Sequence, residues 1–165
     1  MTRLRRSSPG FTLLEICIVI AIAVLLMGLA VPSLTGQMAR RKLQESFDRL
    51  NTLVSQAREA SMKENRGYLL AWDKNGVVNL YPADLSNEAR RKQGPTGTLV
   101  PDKKGEKYVL RRPSALTGEP SAEWTFWPSG TCEPVVVDYK GPSGEWEAQF
   151  NALSGRGNLS RFIAQ

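Results

Sequence analysis

The amino-acid sequence predicts an α+β chain: a long N-terminal helix, membrane-spanning in its first half, packed on a C-terminal antiparallel β-sheet domain. Three features carry that prediction. Residues 11–31 form an apolar run behind three arginines; as a helix it reaches roughly 32 Å, enough for the hydrocarbon core of a bilayer. From Leu34 onward, apolar residues recur at spacings mostly of three and four, which makes a helical stripe. After Gly67 the texture changes to short apolar runs divided by turn residues, the pattern of a sheet.

The first element runs from about Thr12 to Lys63. Within it, Pro32 removes a backbone donor and crowds the preceding turn, so it either kinks the helix or marks the membrane exit. Leu34, Met38, Leu43, Phe47, Leu50, Val54, Ala57 and Ser61 form the stripe. Arg40, Arg41, Lys42, Glu45, Asp48, Arg49, Arg58 and Glu59 fall largely off it, so the stripe buries against a sheet. Asn65 and Gly67 supply the stop, because both tolerate the left-handed conformation in which helices end.

Gly67–Trp72 and Val77–Tyr81 flank Asp73-Lys74-Asn75-Gly76 and read as a hairpin. Residues 82–105 hold three prolines, three glycines and Arg90-Arg91-Lys92, show little periodicity, and read as an exposed loop. Glu106–Arg111, Glu123–Trp127, Pro134–Tyr139 and Glu145–Asn151 read as further strands, with Gly141-Pro142-Ser143-Gly144 turning between the last two. The organisation expected is a leader over 1–10, a transmembrane and assembly helix over 11–33, an amphipathic helix over 34–66 and a β-sheet domain over 67–165.

Formal net charge is +6 over 165 residues, with no histidine. Arg3, Arg5 and Arg6 account for half of that excess, and there they act as a topology signal. Arginines ahead of a span hold that end in the cytoplasm and put the C-terminal domain on the other side. Cys17 lies in the apolar run and Cys132 in the distal domain, so no intramolecular disulfide is expected, while a bridge between chains stays open. Zinc and Cys/His chemistry find no support in this inventory. Ser129 and Ser154 have no histidine to activate them, and no glycine loop precedes a Lys-Ser/Thr pair. Glu119, Glu123, Glu133, Glu145 and Glu147 read as solvated faces. The expectation is a chain that is not an enzyme and takes no cofactor and no metal.

Gly10-Phe11-Thr12-Leu13-Leu14-Glu15 stands at the head of the apolar run. A carboxylate one turn into a span costs roughly 2.5–3.5 kcal/mol, so Glu15 needs a partner. A secretory signal peptide cut after Gly28-Leu29-Ala30, or a plain single-pass anchor, would use the same run without gaining from Glu15. The arrangement resembles the class III signal of type IV pilins and pseudopilins. That resemblance implies cleavage between Gly10 and Phe11 by a prepilin peptidase, and N-methylation of Phe11. It implies that Glu15 pairs with the α-ammonium of a neighbouring subunit, so that two costly charges become one pair. In pilins a proline near the position of Pro32 kinks or locally melts the helix. The implied protein is single-pass in the inner membrane, its C-terminal domain periplasmic, and its partners are other pilins or pseudopilins and the peptidase/methyltransferase.

Trp124-Thr125-Phe126-Trp127-Pro128-Ser129-Gly130 is similar to the Phe-x-Pro-Ser/Asp-Gly segment of the GspH/FimT group, and Leu153-Ser154-Gly155-Arg156 to a late turn common there. Each is also a turn that many β proteins would use. DNA-binding relatives carry Gly-Arg-x-Arg near the C-terminus. Here the stretch is Gly155-Arg156-Gly157-Asn158 with Arg161 following, so Arg156 and Arg161 are the candidate contacts. One missing cation weakens phosphate binding, and DNA is not an expected partner. The resemblance implies a minor pseudopilin, a structural subunit of a type II secretion pseudopilus acting in protein export across the outer membrane. The alternative is a FimT-type minor type IV pilin in pilus assembly or DNA uptake.

Overall fold

The computed structural model describes residues 12–73, 75–102, 105–113 and 120–165, with backbone alone at 28–35 and 120–121. The leader, Gly10 and Phe11 lie outside these residues. Helix α1 spans Leu13–Lys63, close to the range its periodicity predicts, and Pro32 falls within it. The chain divides into two compact units, residues 1–37 and 38–165. Among the described residues no helix is long and apolar enough to cross a membrane. The span expected over 11–33 extends past the described side chains at both ends, and residues 12–27 are fewer than the roughly 20 a crossing needs.

The second unit is the end of α1 against two antiparallel sheets. Its strands are β1 (Tyr68–Trp72), β2 (Val78–Pro82), β3 (Gly97–Leu99), β4 (Lys107–Arg111), β5 (Pro120–Ser121), β6 (Glu123–Phe126), β7 (Val135–Gly141), β8 (Gly144–Phe150) and β9 (Gly157–Ala164), with a short helix α2 (Asn87–Gln93) between β2 and β3. One sheet has the order β3-β2-β1-β6 and the other β5-β4-β7-β8-β9. The α+β class, a helix on antiparallel sheets, is what the sequence predicts.

Leu43, Phe47, Leu50, Val54, Ala57 and Ser61 of the predicted stripe are buried, joined by Ser46 and Leu53. Met38 is exposed, so burial begins at Leu43, and the side chain of Leu34 lies outside the described residues. The stripe meets Leu70 and Leu80 of the first sheet and Tyr108, Val137 and Trp146 of the second in one core. Trp124 of β6 packs edge-on against Phe150 of β8, with ring centroids 4.9 Å apart, and so joins the two sheets directly. The helix ends as expected at Asn65, whose φ is 49°. The Arg66 N–H then closes back to the Ser61 carbonyl at 3.2 Å, a Schellman-type end.

Two expectations need correction. The stretch 82–105 is not an irregular loop, because it contains α2 and β3. Ser86 caps α2 by accepting from the Ala89 N–H, with Glu88 in the first turn and Arg90, Arg91 and Lys92 in the last. Since α2 buries no side chain, it shows no apolar periodicity to detect. The second correction is β9, a strand where none is predicted. It is an edge strand, exposed along most of its length, so it lacks an alternating apolar signal. Ser160 bulges out of its register and its hydroxyl bonds the Glu147 carbonyl and carboxylate.

Candidate assembly surfaces

In the first unit, the described part of α1 is apolar and open on every side. Leu13, Leu14, Ile16, Ile18, Val19, Ile20, Ile22, Val24, Leu25, Leu26 and Met27 are all exposed. Periodicity cannot give this segment a buried stripe, since there is no polar face. Glu15 lies in its first turn, exposed. The Glu15 N–H donates to the Thr12 carbonyl at 3.1 Å and to its hydroxyl at 3.3 Å. Thr12-Leu13-Leu14-Glu15 therefore also has the spacing of a capping box, in which a Thr and a Glu three residues on satisfy the helix start. Cys17 is exposed here, and Cys132 is buried in the other unit, where burial pushes its thiol pKa up. Both are free.

In the second unit, the two turns singled out by sequence come together on Arg58 of α1. Its Nε donates to the Gly130 carbonyl at 2.7 Å, and its Nη2 to the Leu153 carbonyl at 3.3 Å. Ser61, buried on the same helix, shares its hydroxyl proton between the Arg58 carbonyl at 2.8 Å and the Trp127 carbonyl at 3.1 Å. Gly130 has φ 78° and Gly155 φ 59°, conformations that favour glycine. A Cβ on Gly130 would stand 2.7 Å from the Met62 sulfur, and one on Gly155 3.3 Å from Arg58 Cδ. Glycine therefore sets how closely both turns approach α1. The chemistry of this site is docking: backbone carbonyls of two distant turns are held by one guanidinium. Trp127, Leu153 and Met62 are left exposed around it.

A second junction escaped sequence reasoning. Ser46, fully buried, donates to the Leu43 carbonyl at 2.7 Å and accepts from Trp146 Nε1 at 2.8 Å, while the Tyr108 hydroxyl donates to the Ser46 carbonyl at 3.2 Å. Arg49 pairs with Asp102 and Glu106 beside it. The serine, tyrosine and tryptophan satisfy one another under α1, whereas Arg49 Nε is buried without a hydrogen-bond partner. The available signal was Ser46 itself, a polar residue three after Leu43 and four before Leu50 and so on the buried face.

Arg156 and Arg161 do not form a cluster. Arg156 is exposed in the turn before β9, whereas Arg161 pairs with Glu145 at 3.1 Å across the strands. Among the described residues, no group of His, Cys, Asp and Glu side chains could hold a metal ion.

No protein-family model matches the chain, and no curated protein matches it by sequence. Solved structures do. The type IV minor pilin FimU of Pseudomonas aeruginosa overlays on 74% of this chain and 90% of its own, at 15% identity and a TM-score of 0.55. A second crystal form of FimU covers 72% and 92%, also at 15% identity, with a TM-score of 0.51. The chain has a type IV pilin-like fold. The minor pseudopilin EpsH of Vibrio cholerae overlays on 79% of this chain and 98% of its own at 12% identity, but a TM-score of 0.48 is too loose to argue from.

Proposed function

We propose that this chain is a structural, non-enzymatic subunit of an envelope filament of the type IV pilin class, serving as a minor pseudopilin of type II secretion. The observation that supports the pilin-class part of the reading is the overlay of 74% of this chain on 90% of the minor pilin FimU; the choice of type II secretion rests on the sequence resemblance alone. The sequence supplies what the overlay does not reach. A peptidase cuts between Gly10 and Phe11, the new amine of Phe11 is methylated, and residues 11–33 anchor the chain in the inner membrane with its C-terminal domain periplasmic. Pro32 bends or loosens α1 near the end of that anchor. The open apolar surface of residues 13–27 then meets the equivalent segments of neighbouring subunits. Glu15 gives its charge to the terminal ammonium of one of them. The capping-box spacing of Thr12 and Glu15 is compatible with this, because a carboxylate near a helix start is favoured by positive charge in either case.

Intact mass of the mature protein tests the processing step: a start at Phe11 is expected, and a start at Val31 would establish a secretory signal peptide instead. Glu15→Gln should leave membrane insertion intact and reduce incorporation into filaments. Equal incorporation of the variant would remove Glu15 from the assembly contact. A minor pilin of a type IV pilus is the second reading, favoured because the overlays with a TM-score above 0.5 are on a minor pilin. A strain lacking the chain separates the two. Retention of exoproteins in the periplasm supports secretion, and loss of surface pili supports the pilus.

A further inference from the structure

On one flank of α1 lies an open groove of about 700 Å³, lined by Glu45, Asp48, Leu53, Leu99, Val100 and Asp102. Its lining is largely apolar surface with three carboxylates, and the cation that lines it, Arg49, is committed to Asp102 and Glu106. On the other flank stands the Arg58 junction, with Trp127 42%, Met62 45% and Leu153 73% exposed around it. The turns that carry it, 127–131 and 151–157, hold Arg156 and no carboxylate. Gln56 lines the groove and Arg58 the junction; two residues apart on a helix, they point about 200° from each other around its axis. One domain thus carries an apolar knob with a cationic rim, and a largely apolar groove with three carboxylates, on separate flanks.

We propose that the knob of one copy seats in the groove of a second copy, head to tail. The two surfaces are complementary in charge and both offer apolar area, and Trp and Arg are the residue types that anchor interfaces most often. Different surfaces meet in such a contact, so it does not close on itself as a two-fold dimer does and can propagate along a row. This contact belongs to the domain alone and does not rest on processing at Gly10 or on Glu15.

Cysteine cross-linking of the full-length chain in detergent tests it, in a Cys17→Ser background that keeps the buried Cys132. Thr52→Cys marks the groove and Ser154→Cys the knob, both at exposed positions. A mixture of the two single variants should give cross-linked dimers, and the double variant a ladder of higher species. Asp48→Arg should cut the yield roughly tenfold by setting like charges against each other, and adding Arg156→Asp should restore most of it. Far-UV circular dichroism on each variant establishes that it is folded. No cross-link in the mixture of folded variants, a dimer of the Ser154→Cys variant alone, or a yield indifferent to the charge reversals would each overturn the proposal.

Discussion

Arg58→Ala removes in one step the donor that holds two turns, far apart in sequence, to α1. The bond to Gly130 is short at 2.7 Å, charge-assisted, and made to a buried residue. A hydrogen bond to a charged group is worth about 1.5–3 kcal/mol net. The bond to Leu153 is 3.3 Å and solvent-exposed, and adds about 0.5 kcal/mol at most. A loss of about 2–3 kcal/mol is therefore expected, a substantial share of the roughly 5–15 kcal/mol that keeps a domain folded. Arg58→Lys should recover less than half, because lysine places a carbon where arginine Nε donates to the Gly130 carbonyl, the stronger of the two bonds. Urea denaturation of the full-length chain in detergent gives the stability change. Amide exchange followed by mass spectrometry gives its location, and residues 127–131 and 151–157 should lose protection together. Loss of protection at one turn only, or a stability change below about 0.5 kcal/mol, would show that Arg58 does not couple them.

Further outcomes follow from the core and the charge distribution. Phe47→Ala should cost about 3–5 kcal/mol, since the ring is buried and meets Trp146 edge-on at 5.3 Å; a urea midpoint shift worth under 1 kcal/mol would show that the site collapses around the gap. Burial first, and then nearby Glu106, push the Tyr139 pKa up to about 12, and burial raises that of Tyr108 as well. An unfolded chain ionises both near pH 10, so their contribution is intact below about pH 10 and is lost as pH rises toward 12, by about 1.4 kcal/mol per pH unit for each tyrosine. Urea titrations at pH 8, 10 and 11 should show that fall, and Tyr139→Phe should make it shallower; an unchanged slope in the variant would remove Tyr139 from the effect. Duplex DNA should bind only weakly at physiological salt, because Arg156 stands apart from Arg161 and the latter is paired with Glu145. Tight binding that falls steeply with salt and vanishes in Arg156→Ala would favour DNA uptake instead.

The legible parts of this fold are those that local physics writes into local sequence. The α1 stripe was readable because Leu43, Phe47, Leu50, Val54 and Ala57 all face one core at helical spacing. Its end was readable because Asn65 tolerates a positive φ. Most strands alternate buried and partly buried residues, as β7 and β8 do, and a period of two is visible without knowing any partner. Elements at the margin were not readable, and for one reason. Helix α2 buries nothing and β9 is an exposed edge, so their stability comes from caps and from pairing with β8, neither of which leaves an apolar rhythm.

The candidate site divides along the same line. The turns at Trp127–Gly130 and Leu153–Arg156 were visible as turns, and nothing local says what they are for. Their meaning lies in Arg58, which sits 72 residues before the first carbonyl it holds and 95 before the second. The structure separates two roles that a short motif merges. The glycines serve close approach: any side chain at Gly130 would meet Met62, and at Gly155 the backbone has a positive φ. Leu153 contributes little packing at 73% exposed, and Trp127 leaves 42% of its surface open after the turns are docked. A turn that needed only to close would have little use for a tryptophan and a leucine facing water. Holding them by their own backbone carbonyls stabilises the single chain and, in the assembly proposed above, would also lower the entropy lost when a partner covers them.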